Sequence, residues 1–208
     1  MRWLPVLVLV CVAAAARAET VRICYNYGCL VEAEAEFDER QLARVRALLG
    51  SAQSAEDERE RLAVAIGWLL GWAGRQTPIA ADRGGNYADD GVRGRMDCID
   101  HSTTTTRLLR LLEARGWLRF HRVLDPVLRV RFLFDAHYSA QIEELPEAAG
   151  DDAKAVEAAR HVVDSWFRDN GQPAVVLPLP RWLAGEGDAG GESTRVVSGP
   201  GEGVTVER

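Results

Sequence analysis

One cysteine of this chain opens a helix. Asp97 is a side-chain N-cap, Leu108, Leu109 and Leu112 form an apolar stripe behind it, and Gly116 ends the segment, so Cys98 falls in the first turn. A thiol there meets the unpaired N–H groups and the positive end of the helix dipole, which favour the nucleophilic thiolate. Thiolate catalysis also needs a base to carry the proton and a third group to orient that base. His101, His121, His137 and His161 are the bases on offer. His101 lies three positions from Cys98, on the same helix. His137 falls on a later predicted strand, and Asp164 on another, within Val162-Val163-Asp164-Ser165-Trp166. A carboxylate there is expensive to bury without a partner, and a histidine on the neighbouring strand supplies one. Taken singly, each has a plainer reading: Cys98 as a core filler, His137 as a satisfied core or edge histidine, Asp164 as a strand-end acid facing water. A metal site is a further alternative, because Cys98, His101 and His137 include a Cys-x-x-His spacing.

The elements that must position these groups read in order along the chain. Thr20 to Cys24 and Cys29 to Phe37 form a hairpin, the second strand alternating Val31, Ala33, Ala35 and Phe37 with Glu32, Glu34 and Glu36. Gly28 is available for positive φ in its turn. Helices follow at Glu39 to Leu49, capped by Asp38, and from Ser54 to about Ala73, where Trp68 and Trp72 are four apart and predicted to pack together. Gly74 to Arg95 is a long polar, glycine-rich loop leading directly to Cys98, and Gln76, Asn86 and Tyr87 in it are candidate oxyanion donors. Four consecutive threonines, 103 to 106, are poor helix formers, so tertiary packing has to hold the Cys98 helix. Beyond it, strands are expected at Trp117 to Leu124 and Val127 to Phe134, with Asp125-Pro126 turning between them, then at Asp135 to Ile142. An acidic helical excursion at about 146–159 precedes a strand from Arg160 to Phe167. Asp169-Asn170-Gly171 is a hairpin-type turn, Ala174 to Leu177 a strand and Leu179 to Leu183 a closing segment.

Residues 1–18 read as a secretory signal peptide, with Arg2, an apolar run from Leu4 to Ala16, and Ala16-Arg17-Ala18 as the cleavage site. The protein is therefore expected to be exported, periplasmic or secreted, with no membrane span after cleavage. Cleavage removes Arg2 and Arg17, moving the formal charge from −6 to −8. That acidic balance disfavours nucleic-acid binding. Cys11 leaves with the leader, Cys24 and Cys29 are expected to form a disulfide, and Cys98 remains as the unpaired thiol. The expected organisation is a signal peptide at 1–18, one domain at 19–183 and a disordered tail at 184–208. Within the domain the hairpin is 19–37, the helices 39–73, the site loop 74–97 and the catalytic core 98–183.

A cysteine at a helix start, then Arg107-Leu108-Leu109-Arg110 and Leu112-Glu113-Ala114-Arg115-Gly116, then strands carrying His137 and Asp164, together resemble the transglutaminase-like superfamily of papain-like cysteine enzymes, in particular its bacterial exported peptidase branch. The resemblance covers roughly Trp68 to Leu183. It implies an α+β fold with helices packed on an antiparallel sheet and the nucleophile at a helix N-terminus. By position it makes Cys98 the nucleophile, His137 the general base and acid, and Asp164 the group orienting His137, with the Cys98 backbone N–H as an oxyanion donor. It also implies an acid on each side of the cysteine, used with calcium in some members; Asp97 matches, Ile99 stands in the second place, and Asp100 follows. The implied function is attack on an amide of a protein or peptide substrate through an acyl-enzyme, with no cofactor. The alternative is a catalytically silent binding module of the same fold in the cell envelope.

Overall fold

The computed structural model describes residues 18–85, 87–131, 135–145 and 159–187. The N-terminal hairpin forms as its alternation predicts: β1 (Glu19–Tyr25) and β2 (Val31–Phe37) pair antiparallel, from Glu19 opposite Phe37 to Tyr25 opposite Val31. Ile23, Ala35 and Phe37 face the core while Glu32, Glu34 and Glu36 face out. Cys24 and Cys29 are joined by a disulfide across the turn.

Two helices follow. In α1 (Glu39–Gly50) the Asp38 carboxylate accepts from the Gln41 N–H and the Gln41 side chain accepts from the Asp38 N–H, closing a capping box. Leu42, Val45 and Leu49 are its buried face. In α2 (Ala55–Gly74) Ser54 caps the Asp57 N–H, and Leu62, Ala65, Ile66, Leu69 and Leu70 are buried. The Trp68 and Trp72 rings pack 6.2 Å apart, and Arg44 lies 4.2 Å above the Trp68 ring. A short 3-10 turn, Pro78–Ala81, is the regular part of the site loop.

The helix α3 (Cys98–Ala114) begins at the cysteine, capped by Asp97, and Gly116 leaves it at φ 66°. It packs on β3 (His121–Arg131), β4 (Asp135–Glu144) and β5 (Arg160–Asp164) and also touches β1. Two of the four threonines are held by tertiary bonds. Thr104 Oγ1 accepts from the Cys24 N–H at 2.9 Å, and Thr105 Oγ1 is 2.9 Å from Ser165 Oγ. Both are fully buried, so contacts across the fold offset weak local helix propensity.

The sheet runs β3-β4-β5-β6, all antiparallel, with β6 (Val175–Pro178) followed by a short closing helix, α4 (Leu179–Leu183). Asp125-Pro126 does not turn the chain, contrary to the sequence expectation. It lies inside β3, where the register shifts between Leu124 and Val127 as a bulge. β3 is an edge strand, so a proline there removes no ladder bond on its open side, and the bulge absorbs the extra residue. The expected excursion lies outside the described residues over 146–158, as do 1–17 of the leader and 188–208 of the tail.

The architecture is therefore α+β, helices against antiparallel sheets, with a main apolar core running through β1, β2, α1, α2, α3 and one face of β4 and β5, and a smaller cluster of Val162, Leu179 and Trp182 beside it. No helix among the described residues is long and apolar enough to cross a membrane.

Candidate active site

Capping chemistry sets the place of Cys98. Asp97 Oδ1 accepts from the Asp100 N–H at 2.9 Å and Asp100 Oδ2 accepts from the Asp97 N–H at 3.2 Å, which closes a capping box around the thiol's turn. Cys98 is half-buried, the free cysteine of the described chain, and it lines a small cleft of about 110 Å³ with Tyr27, Tyr87, Asp97, Ala136, His137 and Trp166.

β4 and β5 are neighbours in the sheet, and that adjacency brings His137 to Asp164. His137 Nε2 and Asp164 Oδ2 are 2.8 Å apart, with both side chains almost fully buried. The other oxygens and neighbours of this pair are also committed. Asp164 Oδ2 accepts from the Trp182 indole N–H at 2.9 Å, and Oδ1 accepts from the Trp166 backbone N–H at 3.2 Å. Trp166, Phe167 and Trp182 pack around the imidazole with ring centroids at 4.9, 5.3 and 5.7 Å. Arg129 stacks 4.7 Å above Trp182 and donates to its carbonyl at 2.7 Å. Burial pulls the imidazolium down, but hydrogen bonds to Asp164 and to Cys98, and their charges, outweigh it and lift the His137 pKa to about 9. With Nε2 taken by Asp164, Nδ1 is the ring nitrogen not committed to that carboxylate.

His101, the nearer histidine in sequence, is spent elsewhere. Its Nε2 lies 2.9 Å from Asp82 Oδ2 and its Nδ1 2.8 Å from Ser165 Oγ, all three buried. Asp82 Oδ1 also accepts from the Met96 N–H at 2.9 Å, so this chain of polar groups ties the site loop to α3 and to the residue following Asp164. The alternative metal set of Cys98, His101 and His137 is therefore not assembled. Among the described residues the group with suitable donor spacing is Cys24, Cys29 and Glu32, and its two cysteines form the disulfide.

Calcium does not fit beside the cysteine. Asp100 Oδ1 accepts from the Cys29 N–H at 2.6 Å and Oδ2 from the Tyr27 N–H at 2.7 Å, while Asp97 Oδ2 accepts from the Gly28 N–H at 2.9 Å. Donor hydrogens occupy the directions from which a cation would be bound. The loop supplying them is unusual: Asn26, Tyr27, Gly28 and Cys29 all have φ between 54° and 66°. Each non-glycine residue there costs about 1–2 kcal/mol, so surrounding bonds must impose the conformation.

Glycines let the site loop pack closely on neighbouring backbone. A Cβ on Gly84 would come within 2.6 Å of the Phe167 and Arg168 backbone, and the Gly84 N–H donates to Asp169 Oδ1 at 3.0 Å. Gly94, at φ 89°, passes so near Pro78 that a Cβ would lie 2.2 Å from its carbonyl oxygen. Of the loop's expected oxyanion donors, Tyr87 reaches the cleft, edge-on to Trp166 at 4.8 Å. Gln76 does not: its amide bonds both backbone groups of Glu36, at 2.9 and 2.7 Å, stitching the end of α2 to β2. Asn86 lies outside the described residues.

Sequence reasoning missed Tyr27 as a cleft wall and Trp182 as a donor to Asp164. Trp182 carries a weak signal, an indole in a short segment after the last strand; Tyr27 carries none beyond its place in the disulfide loop. Comparison of the chain with family models, with curated proteins and with solved structures returned no match.

Proposed function

We propose that this protein is an exported cysteine-dependent amide-bond enzyme, transglutaminase-like and papain-like in arrangement, that works through an acyl-enzyme on a protein or peptide substrate. The observation that carries this reading is the buried His137–Asp164 pair, 2.8 Å apart, whose histidine lines one small cleft together with Cys98. An imidazolium beside a thiol at a helix N-terminus favours the thiolate–imidazolium pair. The thiolate attacks the amide carbonyl carbon, and the oxyanion so formed is received by the Cys98 backbone N–H, an unpaired donor of the first helical turn. His137 then gives its proton to the departing amine as the C–N bond breaks, leaving a thioester. Water or an amine, deprotonated by His137, attacks the thioester and frees the thiol. Asp164 holds the imidazole in one orientation throughout and stabilises its charge.

The test is to incubate the mature protein with a diverse peptide library, with and without hydroxylamine as an added acceptor, and to read the products by mass spectrometry. New termini or hydroxamates that vanish in Cys98→Ala are the expected result. Their absence from the wild-type reaction, with Cys98 reduced and the protein folded, would sink the enzymatic reading and leave a binding module.

A further inference from the structure

The disulfide loop docks on the nucleophile's helix more closely than a hairpin turn requires. Tyr27, Gly28 and Cys29 aim three successive backbone N–H groups at the carboxylates of Asp97 and Asp100, the residues flanking Cys98 in its capping box. One step further, the Cys24 N–H donates to Thr104, and Arg107 Nη1 reaches the Arg22 carbonyl at 3.1 Å. On the other side the Asn26 N–H donates to the Arg95 carbonyl at 2.8 Å, and Asn26 Oδ1 accepts from the Gly94 N–H at 2.8 Å. The loop thus bridges the site loop and the first turns of α3, and Tyr27, its side chain anchored to Asp89 Oδ1 at 2.6 Å, becomes a wall of the Cys98 cleft. Four consecutive left-handed residues do not hold such a shape unaided. Closure by Cys24–Cys29 and two of the three backbone bonds to the Asp97–Asp100 box, both made to Asp100, hold it together with the bonds of Asn26 and Tyr27 to the site loop. Asp100 is fully buried, and burial followed by the charge of Asp97 pushes its pKa up to about 6 against the backbone donors that stabilise its ionised form.

Building on the proposed thiolate chemistry, we propose that Asp100 is a positioning residue that clamps the disulfide-closed loop 24–29 against Cys98, so that the thiol becomes competent once Cys24–Cys29 has formed. With the loop released, the first turn of α3 loses its restraint, Tyr27 leaves the cleft, and water enters around the Cys98–His137 pair. Reduction by a dithiol such as dithiothreitol breaks the S–S bond, gives each sulfur one electron and one proton, and leaves the dithiol as a cyclic disulfide. The consequence is an enzyme silent in a reducing compartment and switched on after export.

The test compares iodoacetamide alkylation at Cys98, read by peptide mass spectrometry, in the oxidised protein, in Cys24→Ala/Cys29→Ala, and in Asp100→Asn with its disulfide verified. Circular dichroism and thermal melting report the fold of each. Misplacing a reacting group costs on the order of tenfold to a hundredfold, so both variants are expected to lose at least about tenfold in rate at pH 6 while keeping a rate near wild type at pH 9. The Asp100→Asn arm separates positioning from charge, since removing a neighbouring negative charge alone would raise the rate at pH 6. Should the double variant fail to fold, Asp100→Asn and a brief dithiothreitol treatment of the folded wild type carry the test. Folded proteins whose Cys98 rates at pH 6 match or exceed wild type overturn the proposal. An inert Cys98 in the oxidised wild type overturns the enzymatic reading instead.

Discussion

Three histidine–carboxylate pairs of nearly identical length lie among the described residues, and two of them, at His137 and His121, differ sharply in what the second imidazole nitrogen meets. His137 is 2.8 Å from Asp164, and His121 Nδ1 is 2.8 Å from Glu58 Oε1. Around His121 the remaining groups are structural. Glu58 also accepts from the Arg119 and Phe120 backbone N–H groups, fastening α2 to the start of β3, and His121 Nε2 faces Arg59 Nη1 at 3.2 Å. A guanidinium can only donate, so Nε2 is placed to accept from Arg59 and Nδ1 to donate to Glu58. Arg59 in turn pairs with Glu144. His137 instead lines a cleft that it shares with the Cys98 thiol. A histidine–carboxylate pair is therefore no signature of catalysis by itself; the signature is a nucleophile and open space on the other nitrogen.

The sharpest way to break the comparison is to truncate each histidine pair and read both rate and stability. For His137→Ala, acyl transfer measured on whatever peptide the library yields is expected to fall by about 10²- to 10⁴-fold, the usual worth of a positioned acid–base group. For Glu58→Gln, stability measured by urea denaturation is expected to fall by roughly 3 kcal/mol, because buried N–H donors and His121 lose their carboxylate, while the pH profile of Cys98 alkylation stays as in wild type. If Glu58→Gln instead changed that profile, the two pairs would not be separable in role.

pH sharpens the contrast with a third histidine. The His137 pKa is raised from 6.5 to about 9, so its contribution to stability is fully present below pH 6.5 and is lost as pH rises through 9. His161 runs the other way: burial, then Arg59, push it down from 6.5 to about 4, so stability falls as pH drops from 6.5 towards 4. Urea midpoints across pH 4 to 10 should show both slopes, the alkaline one removed by His137→Gln and the acidic one by His161→Gln. The smallest expected effect is at Trp182. Trp182→Phe removes the indole donor to Asp164 and is expected to cost about 1 kcal/mol of stability, with the cleft and the thiol's pH profile retained.

What could be read from the sequence was local. Asp38, Ser54 and Asp97 announce their helices because a cap bonds within three residues, and the 24–29 pair announces its disulfide because the turn between is short. His137 and Asp164 were legible as one charge needing one partner on an adjacent strand. Residues whose meaning depends on distant chain were opaque. Asp82 in a loop, Glu58 on an apparently polar helix start and Ser165 beside Asp164 look solvated in sequence, yet all are buried: Glu58 and Ser165 against histidines 63 and 64 residues away, and Asp82 against Met96 and His101, 14 and 19 residues on. Asp125-Pro126 misled for the same reason: whether a proline ends a strand or rides a bulge depends on whether that strand lies at the sheet's edge, a property of topology.

The proposed function requires His137 to make Cys98 a nucleophile near neutral pH. Its most direct test is the rate of iodoacetamide alkylation at Cys98, followed by mass spectrometry from pH 4 to 9 in the wild-type protein and in His137→Ala. The expected result is rapid modification already near pH 6, below the range where a free thiol of pKa about 8.5 reacts, and loss of that low-pH reactivity in His137→Ala. A Cys98 that stays inert until the protein unfolds, or that reacts identically with and without the His137 imidazole, would contradict it.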